Sequence, residues 1–294
     1  MKGCHKPETA TCSAAPSMVK YLHMISRWAA PGLAWLLALA TCVVPARAEE
    51  IRIGGTGAAL GTMRLLGAAY AKQHAGDVVT VLPSLGSGGG IKALAAGAVQ
   101  IAVSGRPLTA AEAAAGASAV EYGRTPVVFA THSRNPVSSL SLKELAEIYS
   151  GERLAWPDGS RIRLVLRPMG DADSEAIKNL SPALRRAKEL AEQRQGLLVT
   201  VTDQETAEQL EKVAGAVGPT TLALLLSERR ALKPLALDGV RPDAQAIADE
   251  RYPLQRVLYL VTAPRSGPAA QGFVDFARSP AGRAILQRTG HWVK

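Results

Sequence analysis

Short β-branched runs alternate along the chain with stretches in which apolar residues recur at helical spacing. Val78-Val-Thr-Val-Leu82 is a run of the first kind and reads as a buried strand. Ser84-Leu-Gly-Ser-Gly-Gly-Gly90 follows it, and then Ile91, Leu94, Ala95 and Ala98 fall on one side of a helix. The same order stands earlier. Glu50-Ile-Arg-Ile-Gly54 predicts a strand, Gly55-Thr56-Gly57 a turn, and Leu60, Leu66, Ala69 and Tyr70 a helix face running to about Gln73. Val99–Val103 predicts a third strand, ending in Ser104-Gly105-Arg106-Pro-Leu108, with Thr109 and Glu112 as the capping box of the next helix. Further strands are predicted at Arg124–Thr131, Arg161–Leu166, Leu197–Val201 and Gln255–Thr262. Helices are predicted from Ser141 to before Gly151, after Gly170–Ser174, from Asp203 to Val213, from Pro219, and around 268–278 and 280–289. The expected class is α/β, a mainly parallel sheet flanked by helices.

Strand ends followed by glycine-rich helix starts can hold an anion. Backbone N–H groups there lack intrahelical partners, and the helix dipole adds partial positive charge. Three successive strand ends deliver Thr56, Ser87 and Ser104 with Arg106, hydroxyls plus a fork-shaped cation that suit a tetrahedral oxyanion. The plainer alternatives are tight βα turns with Ser87 as a helix cap, and Arg106 as a solvated surface side chain. A dinucleotide fingerprint at Gly55-x-Gly57 with Asp77 fails, because the third glycine falls one residue late at Gly61.

Composition narrows the function classes. Lys20 and Arg27 precede an apolar run from Trp28 to Val44, and Ala46-Arg47-Ala48 supplies a cleavage site, so residues 1–48 read as a signal peptide. Cys4, Cys12 and Cys42 all lie in this leader, which leaves the mature chain without disulfides or cysteine-based sites. Leu39-Ala-Thr-Cys42 is a poor lipoprotein box, so a lipid anchor at Cys42 is not expected. Of the 34 basic and 25 acidic residues, 29 and 24 lie beyond the leader, a net charge of +5. That suits a small anionic ligand, and with 4% aromatic residues it argues against nucleic acid. His74, His132 and His291 are isolated, which gives no metal site. Neither Ser87 nor Ser104 sits in a G-x-S-x-G elbow. No catalytic residue and no cofactor is expected, and the chain is read as a non-enzyme.

The order of motifs resembles the phosphate-binding proteins of ABC importers (the PstS type), two-lobed type II solute-binding proteins. The resemblance rests on Gly55-Thr56-Gly57, Gly86-Ser-Gly-Gly-Gly90, Val103-Ser-Gly-Arg-Pro-Leu108, Asn135-Pro-Val-x-x-Leu140 and Leu145-x-x-Ile-Tyr-Ser-Gly151. It continues through Gly215-Ala-Val-Gly218, Leu237-Asp-Gly-Val-x-Pro242, Tyr252-Pro-Leu254 and Phe273-x-Asp-Phe-x-x-Ser-Pro-x-Gly282. It implies a first lobe over 49–130, a second over 131–229, a return segment over 230–294, and crossing strands as the hinge. It further implies a periplasmic monomer that closes on an inorganic, phosphate-like oxyanion and delivers it to an ABC permease in the inner membrane.

The ligand-binding residues so implied are Thr56, Gly57, Ser87, Gly88, Ser104, Arg106, Arg167 and Ser174. Two departures stand out. The family's Gly-Ser-Gly-Thr-Arg turn reads Gly170-Asp-Ala-Asp-Ser174 here, which sets Asp171 and Asp173 where an anion should sit unless they cap the next helix. Many relatives carry an aspartate after the serine matching Ser104, and here that position is Gly105. The alternative reading is a PstS-like envelope accessory or sensory protein with a degenerate anion site.

Overall fold

The computed structural model describes residues 49–294; the predicted signal peptide, with its cysteines and cleavage site, lies outside the described residues. The first strands and helices alternate: β1 (Glu50–Gly55), α1 (Gly57–Ala71), β2 (Val78–Val81), α2 (Gly86–Ala95), β3 (Ile101–Ser104) and α3 (Ala110–Ala114). Then come β4 (Ser118–His132), β5 (Ser139–Leu140), α4 (Leu142–Ser150), β6 (Arg163–Leu166), α5 (Ala172–Lys178), α6 (Pro182–Gln193) and β7 (Leu198–Val199). The remainder is α7 (Asp203–Lys212), β8 (Ala216–Thr221), α8 (Leu222–Ser227), β9 (Leu232–Pro234), β10 (Ala236–Leu237), α9 (Ala244–Ala248), β11 (Gln255–Thr262), α10 (Gly267–Arg278) and α11 (Pro280–Arg288).

One nine-stranded sheet runs β2-β1-β3-β11-β4-β8-β6-β7, with β9 also paired to β4. β1 lies parallel between β2 and β3, and β6 lies parallel between β7 and β8. Strands covered on both faces need near-continuous apolar runs, and β3 (Ile-Ala-Val-Ser) is buried at every position. The long strand β4 joins the two parallel groups. Ser118–Pro126 pair antiparallel with β11, and Val127–Thr131 pair antiparallel with β8.

Ile53, Met63, Val103, Leu260 and Phe273 belong to one core cluster, against the first parallel group. Phe129, Tyr149, Leu166 and Val217 belong to another, against the second group. Leu235, Leu237, Ala246, Ile247, Tyr252 and Leu254 pack in that second cluster. The return segment expected from 230 therefore begins inside the second half, because its apolar residues complete that core; the chain rejoins the first cluster in β11.

Three other expectations change. Pro219 does not open a helix; it lies in β8, opposite Phe129, and Thr221 caps the helix that follows. The strand expected over Leu197–Val201 shortens to two exposed residues at the sheet edge, paired with β6. The strand expected from Arg124 starts at Ser118, because β11 pairs along its whole first part. Among the described residues, no helix is long and apolar enough to cross a membrane.

Candidate functional site

Loops at the C-terminal ends of strands from both halves meet at a cleft of about 500 Å³. In open α/β sheets that is where ligands bind. From the first half the lining includes Thr56 after β1, Ser84, Leu85 and Ser87 before and within α2, and Gly105 and Arg106 after β3. From the second half it includes Arg167 after β6, Asp171 at the start of α5, Val201 and Thr202 before α7, and Asp203 as its first residue. Arg256 on β11 completes it.

Of the eight residues expected from sequence, Thr56, Ser87, Arg106 and Arg167 line this cleft. Thr56 is the N-cap residue of α1, and its side chain makes no capping bond. The Ser87 hydroxyl accepts the Gly105 N–H at 2.9 Å, tying the second turn to the third; among the described residues its own proton has no acceptor. Arg106 forms a bidentate pair with Glu112, at 2.8 and 2.7 Å. Those hydrogen bonds, with the Thr109 N–H, hold the Glu112 carboxyl down at about 2.

The other four expected residues sit behind the lining. Ser104 is wholly buried, and its hydroxyl donates to the Arg106 carbonyl at 2.7 Å, so that proton is committed to the loop. Ser174 is likewise buried and donates to the Arg167 carbonyl at 3.3 Å. Gly88 lies in the first turn of α2, beside Arg106. Gly57 opens α1, where a Cβ would come within 2.2 Å of Gln204 Oε1; the bare backbone lets Gln204 Nε2 donate to the Gly57 carbonyl at 2.8 Å.

Arg167 is only 7% exposed. It donates to Asp171 at 3.0 Å and to the Thr200 carbonyl at 3.2 Å, while its buried Nε has no partner among the described residues. Asp171 also caps α5 by accepting the Asp173 N–H at 3.0 Å. The two aspartates of the altered turn thus divide. Asp171 caps and faces the cleft, whereas Asp173 turns inward and pairs with Arg256.

Arg256 and Asp203 are charged lining residues that were not anticipated from sequence. Arg256 reaches the cleft because Gly105 has no side chain; a Cβ there would lie 2.9 Å from Arg256 Cδ. Its guanidinium meets Asp173 and, at 3.2 Å, Asp203. Burial works against the charge on Arg256, but the two carboxylates outweigh it and hold the group above its ordinary range. Burial pushes the Asp173 carboxyl up despite Arg256. Burial opposes the charge on Asp203 too, yet Arg256, Arg167 and the Ala58 N–H hold its carboxyl below the usual range. The strand pattern carries a signal for Arg256: it shares the buried face of β11 with Leu258 and Leu260, where an unpaired arginine would not survive.

A family model described as PBP superfamily domain matches residues 43–281. Two curated proteins named phosphate-binding protein PstS are similar in sequence. That of Borreliella burgdorferi is 25% identical over 213 residues, covering 70% of this chain and 76% of its own length. That of Bacillus subtilis is 28% identical over 204 residues, and the match spans 66% of this chain and 64% of the Bacillus protein. A phosphate ABC transporter substrate-binding protein from Clostridium perfringens, solved with bound phosphate, superposes with a TM-score of 0.67 at 20% identity, over 84% of this chain and 100% of that one. The mixed α/β architecture, a large sheet flanked by helices, matches that of solved periplasmic binding proteins.

Proposed function

The chain belongs to the PBP superfamily domain family, and from that premise we propose that it is an extracytoplasmic solute-binding protein capturing phosphate or a related oxyanion for an ABC importer. The observation that carries this reading is the meeting of loop tips from both halves of the sheet at one cleft that holds three guanidiniums. The names of its relatives support the same direction. The protein acts as a monomeric carrier, without catalysis: the two halves move as lobes about β4 and β11, and an ABC permease reads the closed form.

In this reading Thr56 and Ser87 donate hydrogen bonds to the oxyanion, and Arg106 and Arg167 supply charge. Gly57 and Gly88 let backbone N–H groups approach, while Ser104 and Ser174 hold the loops that carry Arg106 and Arg167. The unpartnered Nε of Arg167 is the donor that a bound anion would satisfy. Calorimetry with inorganic phosphate on protein stripped of ligand tests the proposal. Binding in the micromolar range, lost on combining Ser87→Ala with Arg167→Ala, is expected; no binding at millimolar phosphate, or binding unchanged in the double variant, refutes it.

A further inference from the structure

We infer that the preferred ligand of this cleft is an organic oxyanion carrying its own ammonium group, a phosphate ester or phosphonate with an amine a few bonds away. The inference rests on the oxyanion reading above and narrows it.

Space is the first observation. A cleft of about 500 Å³ falls within the range of sites that enclose small organic molecules, so it admits a ligand larger than a lone tetrahedral oxyanion.

Charge is the second. Each guanidinium at the cleft already has a carboxylate: Arg106 has Glu112, Arg167 has Asp171, and Arg256 has both Asp173 and Asp203. No guanidinium at the cleft is thus left without a counter-charge. A bare dianion adds negative charge beside Asp171 and Asp203, which line the same cleft, whereas a ligand that brings a cation offsets part of it.

The arrangement of the lining is the third. Hydroxyls of Thr56, Ser84 and Ser87 line the first-half side, and the vacant Nε belongs to Arg167. Asp171 lines the second-half side with 22% of its side chain exposed, enough to accept a further donor besides Arg167. Leu85 and Val201, which also line the cleft, are 42% and 69% exposed, an apolar rim suited to the carbon chain of such a ligand. The oxyanion end therefore sits on Ser87 and Arg167, and the ammonium sits on Asp171.

Calorimetry on the full chain, stripped of ligand, tests this with three probes: inorganic phosphate, ethyl phosphate and 2-aminoethyl phosphate. The two esters are close in size and differ by the ammonium. The amino ester is expected to bind about tenfold more tightly than ethyl phosphate, a difference of about 1.4 kcal/mol. Asp171→Asn, in which asparagine still caps α5, is expected to remove that margin. Equal binding of the two esters, or inorganic phosphate binding more tightly than the amino ester, overturns the inference and leaves the oxyanion reading standing. Failure of all three probes to bind overturns both.

Discussion

The carboxylate of Asp203 accepts the backbone N–H of Ala58 at 3.1 Å, so a side chain from the second half sits on the N-terminus of α1 in the first. Its other oxygen meets Arg256 at 3.2 Å. A helix N-terminus and a guanidinium are the donors an oxyanion would use. The Asp203 carboxylate thus takes up donors of the kind an oxyanion would use.

Replacing that carboxylate with a neutral side chain should favour an external anion. Asp203→Asn is expected to tighten phosphate binding about tenfold, or about 1.4 kcal/mol, as read by calorimetry. Unchanged or weaker binding would show that Asp203 does not compete for the site.

The same contact bridges the two halves, and Gly57 permits it. A Cβ at 57 would stand 2.2 Å from Gln204 Oε1 and 2.9 Å from Asp203 Oδ2. Gly57→Ala is expected to push both side chains off α1 and open the unliganded cleft, visible in solution scattering as a larger radius of gyration. An unaltered scattering profile would mean that other contacts hold the halves together.

Arg256 is the counter-charge for two buried carboxylates. Arg256→Leu leaves Asp173 and Asp203 without it, and breaking a buried pair in this way costs about 3–5 kcal/mol. Urea denaturation should show a loss of that size. Adding Asp173→Asn should recover part of it, because the two positions share one network. Additive losses would contradict the coupling.

His291 sets an acid limit on stability. It is wholly buried, with Nδ1 3.1 Å from the Leu286 carbonyl, and burial depresses its pKa to about 4 from an ordinary 6.5. Between those values the unfolded chain binds a proton that the folded chain refuses, so stability falls as pH drops from about 6.5 towards 4, by about 3 kcal/mol in total. His291→Gln is expected to flatten this limb in denaturation curves taken across pH. An equally steep limb in the variant would assign the acid sensitivity elsewhere.

The legible part of the site was the part written in local chemistry. Thr56, Ser87 and Arg106 stand in glycine-rich turns directly after strands, and each lies on the cleft. The capping box at Thr109 was equally readable, since the cap and its glutamate are three residues apart. Ser104 stands in the same kind of turn, but its hydroxyl satisfies its own loop, which depends on a fold-back that spacing alone does not encode. Arg256 and Asp203 were missed because their meaning is relational. The arginine needs a missing side chain at 105 and an aspartate at 173, which lie far apart in the chain. Pro219 suggested a helix start by its local preference, and pairing with β4 overrode it.

β4 is hydrogen-bonded to β11 along one stretch and to β8 along the next, and it contributes Tyr122 to one core and Phe129 to the other. Neither core can come apart without stripping partners from a strand that the other also needs. Denaturation should therefore register as one cooperative event with a single midpoint, whether followed at Trp156 in the second core or by loss of backbone ellipticity.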